Sequence, residues 1–355
     1  GTYFKAPMNT VLATSETAAS NKIMLRTTAE ELIVEDGKVT GVKAAQYDGT
    51  PVTAHATKGV VIATGGYAAN LQMVVDTNVY WSSDYLSTST KTTNRSSLKG
   101  DGITMAQAAG ADVTGMGYTQ MMPISWIDDG NLAFGGGNYA IYLNPTTGKR
   151  FVDETSERDV LSLAEFRNGI EHNGTKGVFI EIANAGSKIP GPYLYGNEDV
   201  EWRQYVRTVD QLAELFNSLG LETDADTVRA TIENYDKAIM AGEQPEGVKK
   251  TNPNALIGSA DKDENGNYLP ETYKLDGVEL RIRFMAPSTH HTMGGIKVDT
   301  ERHALDADGN VIPGLYAAGE VTGGIHGGNR LGGNAIVEIF VSGRTAAEAI
   351  QADNK

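Results

Sequence analysis

Glycine turns that follow apolar runs constrain the fold of this chain more than any other feature. Of its 355 residues, 41 are glycine, and they gather in short motifs between helical and strand patterns. The clearest case is VVIATGG at residues 60–66, where an apolar run ends in a glycine turn. Such a turn at the end of a buried strand lets the backbone approach a nucleotide closely. The pattern predicts a strand and turn that contact a ligand of this kind.

Local patterns around these turns predict both strands and helices. Residues 22–66 alternate apolar and polar positions and contain Asp-Gly turns at Asp36 and Asp48, which indicates a strand, a hairpin and a buried strand. Residues 100–111, GDGITMAQAAGA, carry small and apolar residues at helical spacing. The free N–H groups of that helix's first turn are placed to face a ligand. Residues 333–349 show apolar positions three and four apart, which predicts a further helix.

Composition excludes several classes of protein. Acidic residues outnumber basic ones 45 to 30, and the formal net charge of -15 repels nucleic acid and anionic lipid. No run approaches the roughly 20 apolar residues that a membrane span requires. The absence of cysteine rules out disulfides, thiolate nucleophiles and cysteine ligands for an iron–sulfur cluster. The N-terminal residues lack the pattern of a signal peptide, which leaves the compartment undetermined.

The densest group of motifs lies between His290 and Ile336, where HHTMGG, PGLYAAGE and NRLGGNA follow one another. This segment is similar, almost residue for residue, to the flavin and active-site segment of the fumarate reductase and succinate dehydrogenase flavoprotein family. The similarity is greatest to the soluble, flavocytochrome c-like branch. It covers nearly the whole chain and is loosest between residues 170 and 281. The resemblance implies an FAD-dependent bacterial oxidoreductase of anaerobic respiration that acts on CH–CH bonds.

The resemblance also implies the architecture. We expect an α/β fold with a Rossmann-like FAD-binding domain at residues 1–115 and 287–355, and an inserted α+β capping domain at residues 116–286 that contributes to substrate binding. No GxGxxG motif follows an apolar strand near the start, although the family uses one to hold the FAD pyrophosphate at a helix N-terminus. The N-terminal βαβ unit is therefore expected to be missing, with FAD binding by this chain alone weakened or absent.

Residue chemistry favours a flavin site. AAGEVTGG places Glu320 in a glycine turn, where its carboxylate can accept hydrogen bonds from a ribityl or ribose hydroxyl, and GGNAI begins a helix whose N-terminus stabilises an anionic reduced flavin. A single glycine pair is more typical of an ordinary turn, whereas the joint order of the motifs favours the cofactor. The resemblance assigns these residues to FAD: Ala29, Thr64, Gly65, Gly66, Gly100, Asp101, Gly102, His291, Gly319, Glu320, Arg330, Gly333, Asn334, Ala335 and Ile336.

The resemblance also assigns three catalytic residues. His290 and Arg330 are implied to hold a substrate carboxylate and to polarise a conjugated enoate for hydride attack. Arg158, at the end of GKRFVDETSERD, matches the family's proton donor. An arginine is a poor acid at its usual pKa, so this role requires desolvation. The alternative for Arg158 is a surface ion pair with Glu154 or Asp159.

The predicted substrate pocket departs from the family's dicarboxylate enzymes. Met122 stands where they have a histidine before proline, and Leu132, Ala133 and Gly136 stand near their threonine, glutamate and arginine positions. A second substrate carboxylate would meet apolar walls, and an unpaired buried charge is costly. Apolar side chains at the edge suit an apolar or aromatic group, although such residues are also typical of a core. The predicted pocket residues are Met122, Trp126, Phe134 and Tyr139.

Our hypothesis from the sequence is an FAD-dependent reductase of α,β-unsaturated monocarboxylates, with arylacrylates favoured over fumarate and with small enoates and urocanate-like acids behind them. The missing relay positions leave Asp128, Asp129 or water as proton sources for Arg158. The electron donor is expected outside this chain, as a haem domain, an FMN domain or a reductase. The alternatives are a flavin-dependent ketosteroid dehydrogenase or ene-reductase, and a non-catalytic flavin-binding fragment.

Overall fold

The computed structural model describes residues 2–13, 21–134, 137–187, 198–251 and 255–355. The helices are α1 (Thr2–Ala13), α2 (Leu71–Thr77), α3 (Asp101–Ala108), α4 (Arg158–Asn168), α5 (Leu212–Ser218), α6 (Ala225–Ala241) and α7 (Asn334–Asp353), with 3₁₀ turns at Val209–Gln211 and Pro270–Thr272. The strands are β1 (Thr27–Glu35), β2 (Lys38–Gln46), β3 (Pro51–His55), β4 (Val60–Ile62), β5 (Val113–Thr114), β6 (Thr119–Trp126), β7 (Ala140–Leu143), β8 (Ile170–His172), β9 (Thr175–Asn184), β10 (Gln204–Arg207), β11 (Leu280–Thr292), β12 (Gly295–Ile296), β13 (His303–Leu305) and β14 (Val311–Ala317). No helix in these ranges is long and apolar enough to cross a membrane.

The first strands form an antiparallel sheet in the order β1-β2-β3. The turn between β1 and β2 places Asp36 and Gly37 at positive φ, 51° and 76°, which is the backbone that a tight hairpin turn needs. Leu32 and Val39 of this sheet are buried against the larger core. The structure therefore confirms the predicted strand and hairpin before the VVIATGG motif.

A second sheet brings together β4 from the first part of the chain and β13 and β14 from the last part. β4 lies parallel to β14, with Val61 opposite Tyr316, and β13 pairs antiparallel with the other edge of β14. Ile62 of β4 and Ile103 of α3 share one hydrophobic cluster with Leu315 of β14. Because the carboxyl ends of parallel strands meet at one sheet edge, the glycine turns after β4 and β14 come together there. This parallel unit with its helix confirms the predicted α/β fold class.

The central sheet has six strands, in the order β10-β11-β9-β7, with β6 paired to β11 and β8 paired to β9. Along each strand, successive side chains point to opposite faces of the sheet. Ile180 and Ile282 point to the face covered by α5 and α6, whereas Phe179 and Met285 share a cluster with Leu161 of α4 on the other face. α4 is thereby fixed against the sheet, with its first residue at one end of β11.

β11 is a continuous strand across the predicted domain boundary between residues 286 and 287. Its first half pairs with β9 and β10, and its second half pairs with β6 as far as Thr292. The capping region and the FAD-binding region thus share one strand. The division into two domains stays a prediction, and the shared strand positions the site at its end.

Candidate functional site

Four elements bring polar side chains together where β11 ends. β11 carries His290 and His291, β6 contributes Gln120, α4 begins with Arg158, and the segment before α7 carries Arg330. Oε1 of Gln120 accepts hydrogen bonds from Nη1 of Arg158 and from Nη2 of Arg330, both at 3.1 Å. The structure therefore assembles all three predicted catalytic residues, and one side-chain amide holds the two arginines beside each other.

Gln120 is a site residue that the sequence reasoning missed. Its Nε2 donates to Oδ1 of Asn329 at 2.6 Å and to the carbonyl of Arg330 at 2.5 Å. The side chain is almost completely buried. A glutamine next to a run of apolar residues in TQMMPISW was the available signal, because a buried polar side chain needs partners from elsewhere in the fold.

In the described part of the chain, neither arginine forms an ion pair with a carboxylate, and Glu157 and Glu320 act on Arg158 and Arg330 only through longer-range attraction. Glu154, a partner considered for Arg158, is bound by Arg150 at 2.8 Å and lies 3.4 Å from Lys250. Asp159 instead accepts a hydrogen bond from the Tyr80 hydroxyl at 3.4 Å. The surface ion-pair alternative for Arg158 is therefore wrong.

Local electrostatics make this arrangement costly without a bound anion. Burial and the neighbouring Arg330 both lower the pKa of Arg158 below its usual value. Burial also lowers the pKa of Arg330. Arg158 is moreover the first residue of α4, where the positive end of the helix dipole disfavours a cation. A bound anion would offset the cost of burial, the repulsion between the two arginines and the unfavourable helix dipole at once.

His290 is neutral in this environment. Burial, Arg158 and Arg330 lower the pKa of His290 to about 3. Its Nδ1 lies 2.6 Å from Oγ1 of Thr93, and its carbonyl accepts a hydrogen bond from Nδ2 of Asn94 at 2.8 Å. The ring is thus held from the loop before α3 while it faces the two arginines.

Glu320 and His291 form the base of the glycine turn after β14. Oε2 of Glu320 lies 3.2 Å from Nδ1 of His291, and Oε1 accepts a hydrogen bond from the backbone N–H of Thr292 at 3.0 Å. A Cβ at Gly66 would lie 2.1 Å from Oγ1 of Thr292 and 2.5 Å from Oε1 of Glu320, so only glycine fits there. Both Glu320 oxygens have protein partners, and the predicted contact with a sugar hydroxyl uses their remaining lone pairs.

The predicted cofactor residues of the first half also meet in space. Gly65 has a φ of 75°, and a Cβ at Gly102 would lie 2.2 Å from Oγ1 of Thr64, so the turn after β4 packs directly on α3. Asp101 is the first residue of α3, which Gly100 precedes with no side-chain cap. Ala29 of β1 packs on the cluster that contains α3.

The N-terminus of α7 fits a flat, apolar ring with a polar edge. Gly333 precedes α7 at a φ of 87° with no side-chain cap, and the first turn, which contains Asn334, Ala335 and Ile336, has no acidic residue. Ile336 is exposed nearby. Ring nitrogens of His291 and His326 are buried with no hydrogen-bond partner among the described residues. Gly319 links the turn to α7 through a bond from its N–H to Oγ of Ser342 at 3.0 Å. The residues present therefore fit a flavin.

The predicted pocket residues lie in two environments. Met122 of β6 is buried opposite Ser288 of β11. Trp126 lies at the other end of β6, and its ring has two guanidinium groups near it, that of Arg203 at 5.6 Å and that of Arg283 at 5.9 Å. Trp126 is therefore a core residue on the α4 face of the sheet, and its contact with the substrate stays a prediction.

The loop after β6 carries the remaining pocket residues. Phe134 has a φ of 47°, and its carbonyl accepts a hydrogen bond from Nη1 of Arg283. Tyr139 packs on the cluster of Trp126. The predicted Gly136 position lies outside the described residues. Asp128 and Asp129, considered as proton sources, bind Arg203 at 2.6 Å and 2.7 Å.

The fold and the arrangement of the glycine turns around Glu320 and Gly66 are those of a flavoprotein. The family model described as FAD binding domain matches residues 3–336, and the chain belongs to this family. FAD is therefore its cofactor. The chain is 39% identical over 337 residues to an "NADH:acrylate oxidoreductase" of Vibrio harveyi, a match that covers 93% of this chain and 30% of the relative.

Other comparisons point to the same family. The chain is 33% identical to a "Fumarate reductase (cytochrome)" of Shewanella frigidimarina over 81% of this chain and 44% of the relative. It superposes on the open conformation of a flavocytochrome c3 fumarate reductase with a TM-score of 0.67 at 27% identity, covering 92% of this chain and 52% of the other. The chain thus spans about a third to a half of the length of these three proteins. The predicted family is confirmed.

Proposed function

We propose that the protein is the flavin- and substrate-binding part of a reductase that acts on the C=C bond of α,β-unsaturated monocarboxylates. The observation that carries this proposal is the pair of Arg158 and Arg330, which share one amide oxygen and have no carboxylate partner among the described residues. A substrate carboxylate supplies the missing charge. The names of the acrylate and fumarate relatives support an enoate as substrate.

Arg330 and His290 hold the substrate carboxylate. A hydrogen bond to a charged group contributes about 1.5–3 kcal/mol, so two such contacts decide both affinity and orientation. Withdrawal of electron density from the carboxylate makes the β-carbon of the enoate electrophilic. When bound, FAD supplies the hydride from N5 to that carbon.

Arg158 donates the proton to the α-carbon. Burial and Arg330 lower its pKa, which makes the guanidinium a stronger acid than it is in water. Gln120 contributes by holding both arginines through Oε1, so that Arg158 has a fixed direction relative to the carboxylate. Positioning of this kind is a large part of catalysis.

The pocket favours one carboxylate over two. Met122 and Ala133 are buried, and neither can pair with a second substrate charge. We therefore place arylacrylates ahead of fumarate, with small enoates such as acrylate and urocanate-like acids next. Electrons come from a haem, FMN or reductase domain outside residues 1–355, which fits the greater length of the relatives.

The test is anaerobic oxidation of reduced viologen by the FAD-loaded protein. Cinnamate, acrylate, urocanate and fumarate are compared with a steroid enone that carries no carboxylate. We expect turnover of the monocarboxylates, with kcat/KM for fumarate at least about tenfold lower because a buried unpaired charge costs more than about 1.4 kcal/mol.

Each other outcome assigns a different function. Turnover of the steroid enone alone indicates the ketosteroid-type alternative, in which the paired arginines have no substrate charge to bind. Reduction of FAD without turnover of any acceptor indicates a flavin-binding fragment. Faster turnover of fumarate than of any monocarboxylate overturns the specificity while leaving the reaction class in place.

A further inference from the structure

Thr93 contacts the ring of His290, although no motif pointed to it. Its Oγ1 lies 2.6 Å from Nδ1 of His290, a short distance for a hydroxyl–imidazole hydrogen bond. The same Oγ1 lies 3.3 Å from the carbonyl oxygen of Thr289. The single hydroxyl proton of Thr93 therefore has two candidate acceptors, and which one receives it decides the tautomer of His290.

The carbonyl of Thr289 is already saturated. It accepts the backbone N–H of Thr93 at 2.9 Å and the hydroxyl of Thr92 at 3.2 Å. A carbonyl oxygen has two lone pairs, and these two donors occupy them. The proton of the Thr93 hydroxyl is thus best used on Nδ1 of His290, which is closer by 0.7 Å, the difference between 3.3 Å and 2.6 Å.

A neutral imidazole carries one proton on one of its two nitrogens. When Nδ1 accepts from Thr93, the proton must lie on Nε2. His290 stands within electrostatic range of Arg158 and Arg330, which disfavour a second proton on the ring. The loop before α3, which contacts Nδ1, therefore determines whether Nε2 of His290 is a donor or an acceptor toward the site.

We propose that Thr93 is a positioning residue that holds His290 as the Nε2–H tautomer, so that the ring presents a donor and not a lone pair to the substrate carboxylate. The tautomer rests on the geometry of Thr92, Thr93 and Thr289, and its consequence for substrate rests on the proposed function. The opposite tautomer would aim a lone pair at the carboxylate and would lose a charge-assisted hydrogen bond.

The tautomer is measured by long-range ¹H–¹⁵N correlation spectra of the FAD-loaded protein with ¹⁵N-labelled histidine. The chain has six histidines, so His290 is assigned by the signal that His290→Gln removes. We expect a protonated Nε2 and an accepting Nδ1 in the wild type. Thr93→Val should move the proton to Nδ1 or give a mixture, and Thr93→Ser should restore the wild-type pattern.

Thr90→Val is the matched control, because it removes a threonine hydroxyl of the same loop that accepts from the N–H of Ser87 and contacts neither the ring of His290 nor the carbonyl of Thr289. It should leave the tautomer unchanged. A wild-type ring protonated on Nδ1, or a Thr93→Val spectrum identical to the wild type, overturns the proposal.

Kinetics separate this inference from the proposed function. Thr93→Val should raise KM for the enoate about 10- to 100-fold, the value of one hydrogen bond to a charged group, and change kcat less. Thr93→Ser should restore KM. A tautomer change with unaltered KM removes the positioning role. Absence of turnover in every variant refutes the proposed function and leaves the tautomer assignment standing on the spectra.

Discussion

Two sites in this protein hold arginine in a buried or half-buried position, and they balance its positive charge in different ways. Arg283 lies in the central sheet with its side chain fully buried, directly opposite Glu181 on the neighbouring strand. Both its Nε and Nη2 approach Oε2 of Glu181, and Nη1 reaches the carbonyls of Ala133 and Phe134. Arg158 and Arg330 have no such carboxylate and share only Oε1 of Gln120.

We interpret the charge of Arg283 as structural, and we propose a functional role for the charges of Arg158 and Arg330. Transfer of an ion out of water costs several kcal/mol, and a good partner with additional hydrogen bonds offsets most of that cost. Arg283 has that compensation inside the fold. The Arg158 and Arg330 pair lacks it, which leaves the pair poised to gain free energy from an anion that comes from outside.

The largest expected effect is the loss of the acid on the functional side of this comparison. Arg158→Ala should lower turnover of an enoate by about 10²–10⁴-fold, because it removes the proposed proton donor. Reduction of FAD by its electron donor should continue, since only the second half-reaction consumes this proton. Stopped-flow absorbance measures the two half-reactions separately. Equal loss of both contradicts the assigned role.

Arg283 should show the opposite behaviour. Arg283→Met leaves Glu181 buried without its partner, which typically costs about 3–5 kcal/mol of unfolding free energy. The double variant Arg283→Met/Glu181→Met removes both charges and should recover most of that loss. Urea unfolding measures each variant, with Glu181→Met as the second single change. A double variant as unstable as the single ones would show that the loss comes from the hydrogen bonds of Arg283 to the carbonyls of Ala133 and Phe134, and not from its pairing with Glu181.

Gln120→Glu should convert the functional pair into the structural type. A carboxylate at residue 120 would bind Arg158 and Arg330 and compete with the substrate, so KM should rise about 10- to 100-fold while thermal stability increases. Gln120→Leu is the control, because it removes the same hydrogen bonds without adding charge and should lower stability. An unchanged KM in Gln120→Glu would show that these arginines do not bind the substrate carboxylate.

The two regions also differ in how well the sequence predicted them. His290, Arg330 and the turn around Glu320 lie in motifs whose residues are close in the chain, so their order alone indicated a flavin site. Gln120 has no motif, because its partners lie 38 and 210 positions away. Strand register brings Glu181 to Arg283 across 102 positions, in the segment where the family resemblance is loosest.

The prediction of the pocket residues was also limited by contacts between residues that are far apart in the sequence. The sequence pattern predicted Trp126 as a pocket residue, because large apolar side chains suit both an apolar substrate and a core. The guanidinium groups of Arg203 and Arg283 lie 5.6 Å and 5.9 Å from its ring, and neither contact is visible in the local sequence. A cation–π environment depends on which strands become neighbours. Local patterns predicted the elements and turns, and long-range pairing decided which side chains meet.

The smallest expected effect comes from Glu165 on α4, a buried carboxyl group whose side chain has no hydrogen-bond partner among the described residues. Its side chain is fully buried, and neither oxygen has a hydrogen-bond partner among the described residues. Burial raises the pKa of Glu165 well above its usual value. The folded protein therefore holds this proton more tightly than the unfolded chain, so the stabilisation is complete at low pH and is lost as the pH rises through the raised pKa.

Glu165→Gln should remove this pH dependence and raise the unfolding free energy by about 1–3 kcal/mol at the alkaline end, which is the range for one unsatisfied buried polar group. Urea unfolding from about pH 5 to pH 8 measures the difference, starting one unit above the pKa range of an ordinary carboxylate. Glu157→Gln is the control, because Glu157 is exposed beside the same helix and should leave the slope unchanged. A Glu165→Gln protein that still loses stability as steeply as the wild type would place the titrating group elsewhere. In that case the comparison rests on the arginines alone. Arg283 is paired with a carboxylate, whereas Arg158 and Arg330 share an amide oxygen.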